Sequence, residues 1–335
     1  MSDRTTTIED SFGRIFPYLR LSITDICNFK CDYCLPDGYK KRPGEKGQKN
    51  IFLSLEEIDN LVRAFAGLGM IKLRLTGGEP TLRKDFVDIV KAVRKVKGIE
   101  KLALTTNGYK LPERAGEFYD AGLRAINIST DTLDRNKFKD MTGHDRLADV
   151  LEGIEASFEA GFEAVKVNTV LLKNFNGEEI DSFISFVEDK PISLRFIELM
   201  QTGENNGYFR REHLPGTEVQ KRLLELGWSQ KPREFGDGPA VEYTHPRSKG
   251  CIGVIAPYAR DFCATCNRLR ISARGKLHLC LFGTGGYDLR PLMQAPEQKE
   301  ELQATIQDLM RFKKSSHFLH EGNSGARQNF SSIGG

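Results

Sequence analysis

Three cysteines fall within eight residues, Cys27-Asn28-Phe29-Lys30-Cys31-Asp32-Tyr33-Cys34, in the spacing C-x3-C-x2-C. Thiolates on so short a loop point at one centre, and they are soft ligands suited to zinc or iron–sulfur clusters. A structural zinc site takes four ligands, and a four-iron cluster normally takes four cysteines. Three therefore leave one metal position open for a small molecule. The competing reading is a zinc loop whose fourth ligand comes from elsewhere. A second trio repeats the arithmetic: Cys263-Ala264-Thr265-Cys266, then Cys280 after thirteen intervening residues. His278 lies two residues before Cys280, so on a strand it shares that face and stands as the fourth ligand of a zinc alternative. Asn267-Arg268-Leu269-Arg270 follows the second trio directly and puts two guanidiniums on one face beside the metal. An open metal position next to an arginine pair suits an anionic, nitrogen-bearing substrate. The seventh cysteine, Cys251, sits in the apolar run Cys251-Ile252-Gly253-Val254-Ile255 and reads as small and buried.

These loops need elements to hold them. Tyr18-Leu19-Arg20-Leu21-Ser22-Ile23-Thr24 alternates like a strand, so the first trio leaves a strand's carboxyl end. From Tyr18 to about Met200 one unit recurs: an apolar run, a polar or glycine loop, then an amphipathic stretch. Strands are expected at 18–24, 72–76, 101–105, 125–129, 164–170 and 193–199, with helices at 55–67, 84–96, 112–121, 145–160 and 178–187. Such alternation implies parallel strands joined by right-handed crossovers. Six units are too few for an eightfold barrel, so the expected fold is α/β, a partial, open (β/α)6 TIM-like barrel with its site at the strands' carboxyl ends. The loop 36–50, rich in Gly, Lys and Pro, is expected over that site. After 200 the character changes. A polar connection and a helix at 217–226 precede short strands at 240–245, 251–256, 269–272 and 276–281, expected to be antiparallel and to close the open side. Ala273-Arg274-Gly275 is their turn, and a helix at 297–314 leads to a polar tail. Two regions are expected, 1–200 and 201–335.

Further polar residues fall where a barrel site would be. Thr76-Gly77-Gly78-Glu79-Pro80 follows the second strand, and paired glycines there let backbone approach a ligand without a Cβ. Thr105 ends the third strand, Ser129 the fourth, and Met200 follows the sixth. A lone Ser or Thr in such a place more often caps the next helix. Lys166 shares the polar face of the fifth strand with Asn168, while Arg20 and Arg74 interrupt the apolar runs Leu19-Arg20-Leu21 and Leu73-Arg74-Leu75. A buried guanidinium is costly unless paired. Either each cation meets a buried carboxylate such as Glu79 or Glu198, or several converge on a polyanion such as a triphosphate.

Composition narrows the classes. The chain has 335 residues, 28% charged and 39% hydrophobic, as in ordinary globular proteins. A net charge of +3 is too small to imply a nucleic-acid partner, so anion recognition rests on local placement of Arg and Lys. No run of eighteen apolar residues suggests a membrane span. Clustering of six of the seven cysteines into two trios argues against a disulfide framework and for metal binding in a reducing compartment, hence a cytoplasmic location.

Taken together, the C-x3-C-x2-C loop with Tyr33 before its last cysteine, Gly77-Gly78-Glu79-Pro80, the block Asp261-Phe262-Cys263-Ala264-Thr265-Cys266-Asn267-Arg268-Leu269-Arg270 and the terminal Gly334-Gly335 resemble the MoaA family, the GTP 3′,8-cyclases of molybdenum cofactor biosynthesis within the radical S-adenosylmethionine (SAM) superfamily. The resemblance covers nearly the whole chain, without departure at a motif position. It implies a radical SAM barrel with two [4Fe–4S] clusters, one on Cys27, Cys31 and Cys34 that binds SAM, the other on Cys263, Cys266 and Cys280 that meets the guanine of GTP. It implies SAM contacts from Tyr33, Gly78, Ser129 and Met200. GTP contacts are implied for Arg20, Arg74, Thr105, Lys166, Arg268, Leu269 and Arg270, with Arg268, Arg270 and the first cysteine trio catalytic. The implied partners are a cyclic pyranopterin monophosphate synthase downstream, a flavodoxin or ferredoxin as electron donor and a second copy in a homodimer, with no nucleic acid and no membrane. The tail Gly334-Gly335 is implied to reach the active site. Two rivals are another radical SAM enzyme with an auxiliary cluster, such as a peptide-modifying maturase, and a zinc-bearing nucleic-acid module. A peptide needs no triphosphate site, and a nucleic-acid module needs a basic exposed face with stacking aromatics.

Overall fold

The computed structural model describes residues 7–41, 51–203, 205–233, 238–283, 285–322 and 333. Gly334-Gly335 and the 42–50 part of the loop expected over the site lie outside them. Six parallel strands form the centre of the sheet: β1 (Tyr18–Ser22), β2 (Lys72–Thr76), β3 (Lys101–Thr106), β4 (Ala125–Ser129), β5 (Ala164–Leu171) and β6 (Ser193–Glu198), paired in chain order. The crossovers carry α1 (Leu55–Gly67), α2 (Phe86–Arg94), α3 (Leu111–Ala121), α4 (Arg135–Thr142), α5 (Leu147–Glu159) and α6 (Ile180–Glu188). Helix α1 starts where a reciprocal cap fixes it: Ser54 Oγ accepts from the Glu57 amide at 3.1 Å, and Glu57 Oε2 accepts from the Ser54 amide at 2.8 Å. Its Ile58, Leu61, Val62 and Phe65 then recur on one helical face and are fully buried.

Strand alternation divides the molecule into two chemistries. Leu19, Leu21, Leu73, Leu75, Leu104, Ile126, Ile128, Val167, Leu194 and Phe196 face the helices and form the apolar core. The residues between them, among them Arg20, Arg74, Asn127, Lys166 and Arg195, turn to the other side of the sheet and line a cavity. Parallel strands covered on both faces by helices read as continuous apolar runs. These alternate because one face serves the site.

After β6 come α7 (Asn206–Glu212), α8 (Gly216–Glu225), β7 (Ser229–Gln230), β8 (Val241–Thr244), β9 (Cys251–Ile255), β10 (Arg268–Ile271), β11 (Lys276–His278), β12 (Tyr287–Asp288) and α9 (Lys299–Leu309). These strands extend both edges of the sheet, in the order β12-β11-β10-β1 at one side and β6-β9-β8-β7 at the other, and the sheet is not closed into a barrel. The expected antiparallel pairing holds for β8 with β9 and for β10 with β11. Toward the centre, however, β9 joins β6 and β10 joins β1 in parallel. Each is the member of a hairpin that lies inward, so its direction is set by the central strand it meets. The turn at Ala273-Arg274-Gly275 is as expected: the Gly275 amide donates to Ser272 O at 2.9 Å, with Gly275 at φ +83°. Two helices were not legible, α4 and α7; α4 is nucleated by Asp134, whose carboxylate accepts from the amides of Asn136 and Lys137.

Candidate active site

The first cysteine loop leaves β1 and folds back on itself, the amides of Cys34 and Leu35 both donating to Cys31 O at 2.9 Å. Burial raises all three thiols, Cys27 to about 11, Cys34 to about 12 and Cys31 well above its usual range. Mutual repulsion adds to the rise of Cys31 and Cys34, so the trio shares one neighbourhood. Coordination reverses this, because a metal-bound thiol is deprotonated outright. Tyr33 donates its hydroxyl to Asp131 Oδ2 at 2.9 Å, and the Val170 amide donates to Asp131 Oδ1 at 2.8 Å. The loop is thereby tied to the carboxyl ends of β4 and β5, where Ser129 also lies.

Gly77 and Gly78 approach the chain's own backbone. The Gly78 amide donates to Thr24 O at 2.9 Å and the Glu79 amide to Ile26 O at 2.7 Å. A Cβ on Gly78 would stand 2.3 Å from Ile26 O, and one on Gly77 2.4 Å from Thr24 O. The glycines thus seat the segment that carries Cys27. Glu79, fully buried, accepts from Thr81 (amide and hydroxyl), the Thr106 hydroxyl and the Asn107 amide. It is saturated, and it pairs with none of the interior cations. Glu198 is engaged by His213 Nε2 at 2.8 Å. The two carboxylates named as alternative partners therefore serve elsewhere.

The cations instead converge on a cavity of ≈750 Å³. Arg20, Arg74, Lys166, Arg268 and Arg270 line it, joined by Lys72 and Arg195, which the sequence reading missed. Register aligns Arg20 with Arg74 on one side and with Arg270 on the other. Two unit charges about 7 Å apart at an effective dielectric near 20 repel by roughly 2 kcal/mol, so stacking guanidiniums this way opposes folding unless an anion fills the space. The Nε atoms of Arg74, Arg268 and Arg270 are buried with no hydrogen-bond partner among the described residues. Burial, then the neighbouring Arg195, pulls Lys166 down to about 8. Burial likewise lowers Arg20 to about 9 and, with Arg268, Arg270 to about 10. Tyr18 shows the same field from the other side. Burial would raise it, yet Arg74, Arg20, Lys72 and Arg268 bring it down to about 8.

Cys263, Cys266 and Cys280 open onto this same cavity. Cys263 is raised by burial, whereas Cys266 falls to about 7 because Lys313 and Arg268 outweigh the burial. Lys313, 5% exposed, donates to Leu279 O beside Cys280 and has no carboxylate partner among the described residues. Arg14 donates to Cys263 O at 2.9 Å and, through two more bonds, to Lys314 O and Ser315 O. A buried ammonium and two guanidiniums around three thiols suit an anionic cluster. His278 turns its Nδ1 to Gly285 O at 2.7 Å. Among the described residues no three His, Cys, Asp or Glu side chains gather tightly enough for one ion; thiolates on a single zinc, 2.3 Å from it, stand only about 3.8 Å apart. All seven cysteines are free thiols, and Cys251 is half-buried at the start of β9.

Two family models divide the chain: the radical SAM superfamily matches residues 21–187, and the C-terminal domain of molybdenum cofactor synthesis matches residues 192–319. A GTP 3′,8-cyclase of Aeromonas hydrophila is 54% identical over 98% of this chain and 96% of its own, and one of Klebsiella pneumoniae is 53% identical over 98% and 99%. The chain belongs to the GTP 3′,8-cyclase family. As a radical SAM protein of that family it is an enzyme that uses SAM and an iron–sulfur cluster. In fold it is similar to SuiB of Streptococcus suis, with a TM-score of 0.59 at 14% identity, covering 87% of this chain and 69% of that one.

For this family member the sites expected from sequence divide into two groups. Met200 and the cations line the cavity together with the second cysteine trio, while Tyr33 lies within the first cysteine loop, Gly78 packs against the segment leading into it and Ser129 ends β4, two residues before the Asp131 that Tyr33 meets. The Thr105 hydroxyl is buried without a hydrogen-bond partner among the described residues. Leu269 is 1% exposed and packs in the apolar core, so it offers the cavity no side chain. Arg195 and Asn127 were missed although they carry the signal that marked Arg20 and Arg74, a polar residue between apolar neighbours in a strand: Leu194-Arg195-Phe196 and Ile126-Asn127-Ile128.

Proposed function

We infer that this chain converts GTP to (8S)-3′,8-cyclo-7,8-dihydroguanosine 5′-triphosphate, an early step of molybdenum cofactor biosynthesis. The observation that carries this is one cavity walled by a cluster of cationic side chains, Arg20, Lys72, Arg74, Lys166, Arg195, Arg268 and Arg270 among them, and by the second cysteine trio, in a chain of this family. Cys27, Cys31 and Cys34 would hold the cluster that binds SAM, with Tyr33, Gly78, Ser129 and Met200 around the cofactor. When bound, that pair would supply the radical chemistry that activates the 3′ carbon of the ribose. Cys263, Cys266 and Cys280 would hold a second [4Fe–4S] cluster facing the guanine, where Lys313, Arg268 and Arg270 balance its charge.

The chain's own residues orient. Arg20, Arg74, Lys166, Arg268 and Arg270 hold the triphosphate, with Lys72 and Arg195 completing the positive wall and Thr105 offering a hydroxyl. The backbone at Leu269 lies between the two arginines. Fixing the phosphates aims the sugar carbon and removes most of the rotational freedom that would misdirect a radical. The apolar cluster of Leu281, Phe282, Leu319 and Ile333, beside Met200, Tyr258 and Cys280, excludes water from one wall. Ile333 is fully buried there. The division into 1–200 and 201–335 follows the same logic, a radical-generating part and a part that carries the auxiliary cluster. A cyclic pyranopterin monophosphate synthase would consume the product, and a flavodoxin or ferredoxin would supply electrons. The reducing chemistry favours the cytoplasm. No helix among the described residues is long and apolar enough to cross a membrane.

Anaerobic reconstitution followed by incubation with SAM, reductant and GTP tests the reading. About eight irons per chain, as two four-iron clusters require, and 5′-deoxyadenosine formed only with GTP are expected. Four irons, or SAM cleavage indifferent to GTP, would sink it.

A further inference from the structure

Asn127 lies midway along β4, 1% exposed, in the wall of the cavity. Neither end of its side-chain amide has a partner among the described residues: Nδ2 and Oδ1 are both buried and unbonded. Leaving a buried polar group unsatisfied is costly, and native proteins rarely leave both ends of one amide so. The missing partner is a ligand that brings a donor and an acceptor side by side.

Register says which part of the substrate that is. One step toward the amino ends of the strands runs the row Arg270, Arg20, Arg74, Ala103, Ala125, Ala164. Its cationic half binds phosphates, and its alanine half leaves room. One step toward the carboxyl ends stand Ser129 and Asn168, next to the radical source. Asn127 occupies the row between, with Thr105, Lys166 and Ser193. A nucleotide anchored below and attacked from above has its sugar at this row. On a ribose the 3′ hydrogen lies on one face of the ring, and the 2′ and 3′ hydroxyls lie on the other. A sugar that turns its 3′ hydrogen to the strands' carboxyl ends turns both hydroxyls toward Asn127.

We propose that Asn127 is a positioning residue that reads the vicinal ribose hydroxyls, Oδ1 accepting from one and Nδ2 donating to the other. It thereby selects a ribonucleotide and fixes which hydrogen faces the radical. This rests on the reading of the cavity as a GTP site with its phosphates on the arginines.

The test is equilibrium binding of GTP and 2′-deoxy-GTP to the reconstituted enzyme, wild type against Asn127→Leu and Asn127→Ala. Leucine is nearly isosteric and removes an unpaired amide, so that variant is expected to melt no lower than wild type. Wild type should prefer GTP by tenfold or more, and both variants should prefer it by less than threefold. With SAM and reductant, Asn127→Leu should form more 5′-deoxyadenosine per cyclised product than wild type, a readout that a purely structural role would not move. Equal discrimination in wild type and variants overturns the role of Asn127 while leaving the GTP site intact. Failure of wild type to bind GTP at all overturns the functional reading beneath it.

Discussion

Lys166 is the residue where protonation and function meet. Burial and the field of Arg195 hold it near 8, against an ordinary value of 10.5. The sign follows from that depression. Between about 8 and 10.5 the unfolded chain binds the proton and the empty folded one does not, so this group's contribution to stability rises with pH through that window. Anion binding runs the other way, because a phosphate needs the ammonium and GTP must draw a proton onto Lys166 to use it. Affinity for GTP is therefore expected to fall as pH rises through and above about 8, by at most about tenfold per pH unit for one proton. Tyr18, also near 8, gains negative charge over the same range and pushes the same way. Lys166→Arg, whose guanidinium stays charged to higher pH, should reduce the slope, and adding Tyr18→Phe should reduce it further, leaving what Arg20, near 9, contributes at the top of the range. Calorimetric titration at several pH values checks this, and an unchanged slope in the double variant would remove both groups from the phosphate site.

At the scale of elements, the glycine pair joins sheet to cysteine loop. A methyl on Gly78 would meet Ile26 O at 2.3 Å, Ile26 C at 2.5 Å and Asp25 O at 2.7 Å, all backbone. Backbone cannot rotate aside as a side chain would, so Gly78→Ala must push the 24–27 segment away from β2, at about 1–3 kcal/mol. The expected outcome is a folded protein with lower melting temperature that retains only the irons of the second trio after reconstitution. Retention of both clusters with unchanged SAM affinity would show that the glycine serves the cofactor without seating the loop. Sequence alone marked this motif but supplied a different reason for it, since which backbone lies opposite a glycine is a tertiary fact. The six central strands were legible because alternation of Leu with Arg, Lys or Asn is a local pattern. The pairing of β9 with β6 and β10 with β1 was not, because nothing within Cys251–Ile255 or Arg268–Ile271 encodes which edge receives it. Leu269 was read with its arginine neighbours, and alternation sends it to the core.

The whole molecule holds an unfavourable charge distribution in place for its substrate. Arg20, Arg74 and Arg270 stand in register across three strands, Arg74 and Arg270 buried, while the buried carboxylate of Glu79 is committed to Thr81, Thr106 and Asn107. Among the described pairs Arg195 meets Glu242 at 3.2 Å and Arg124 meets Glu163 at 3.9 Å, whereas Arg74 has no acidic partner. Replacing a buried charge that lacks a partner with an apolar side chain of similar length relieves both desolvation and repulsion. Arg74→Met should therefore raise the melting temperature of the empty enzyme, by about 2 °C for each kcal/mol released in a chain of this size. The same change removes a phosphate ligand, so GTP should bind at least tenfold more weakly. Ligand at a hundred times its dissociation constant stabilises by about 2.7 kcal/mol. At a fixed GTP concentration the thermal shift should consequently be large in wild type and small in the variant, and the two melting curves should cross as GTP is added. A variant that melts below wild type without GTP would mean that Arg74 is paid for by contacts inside the protein, its position over the Tyr18 ring included, and that the cavity's charge is structural.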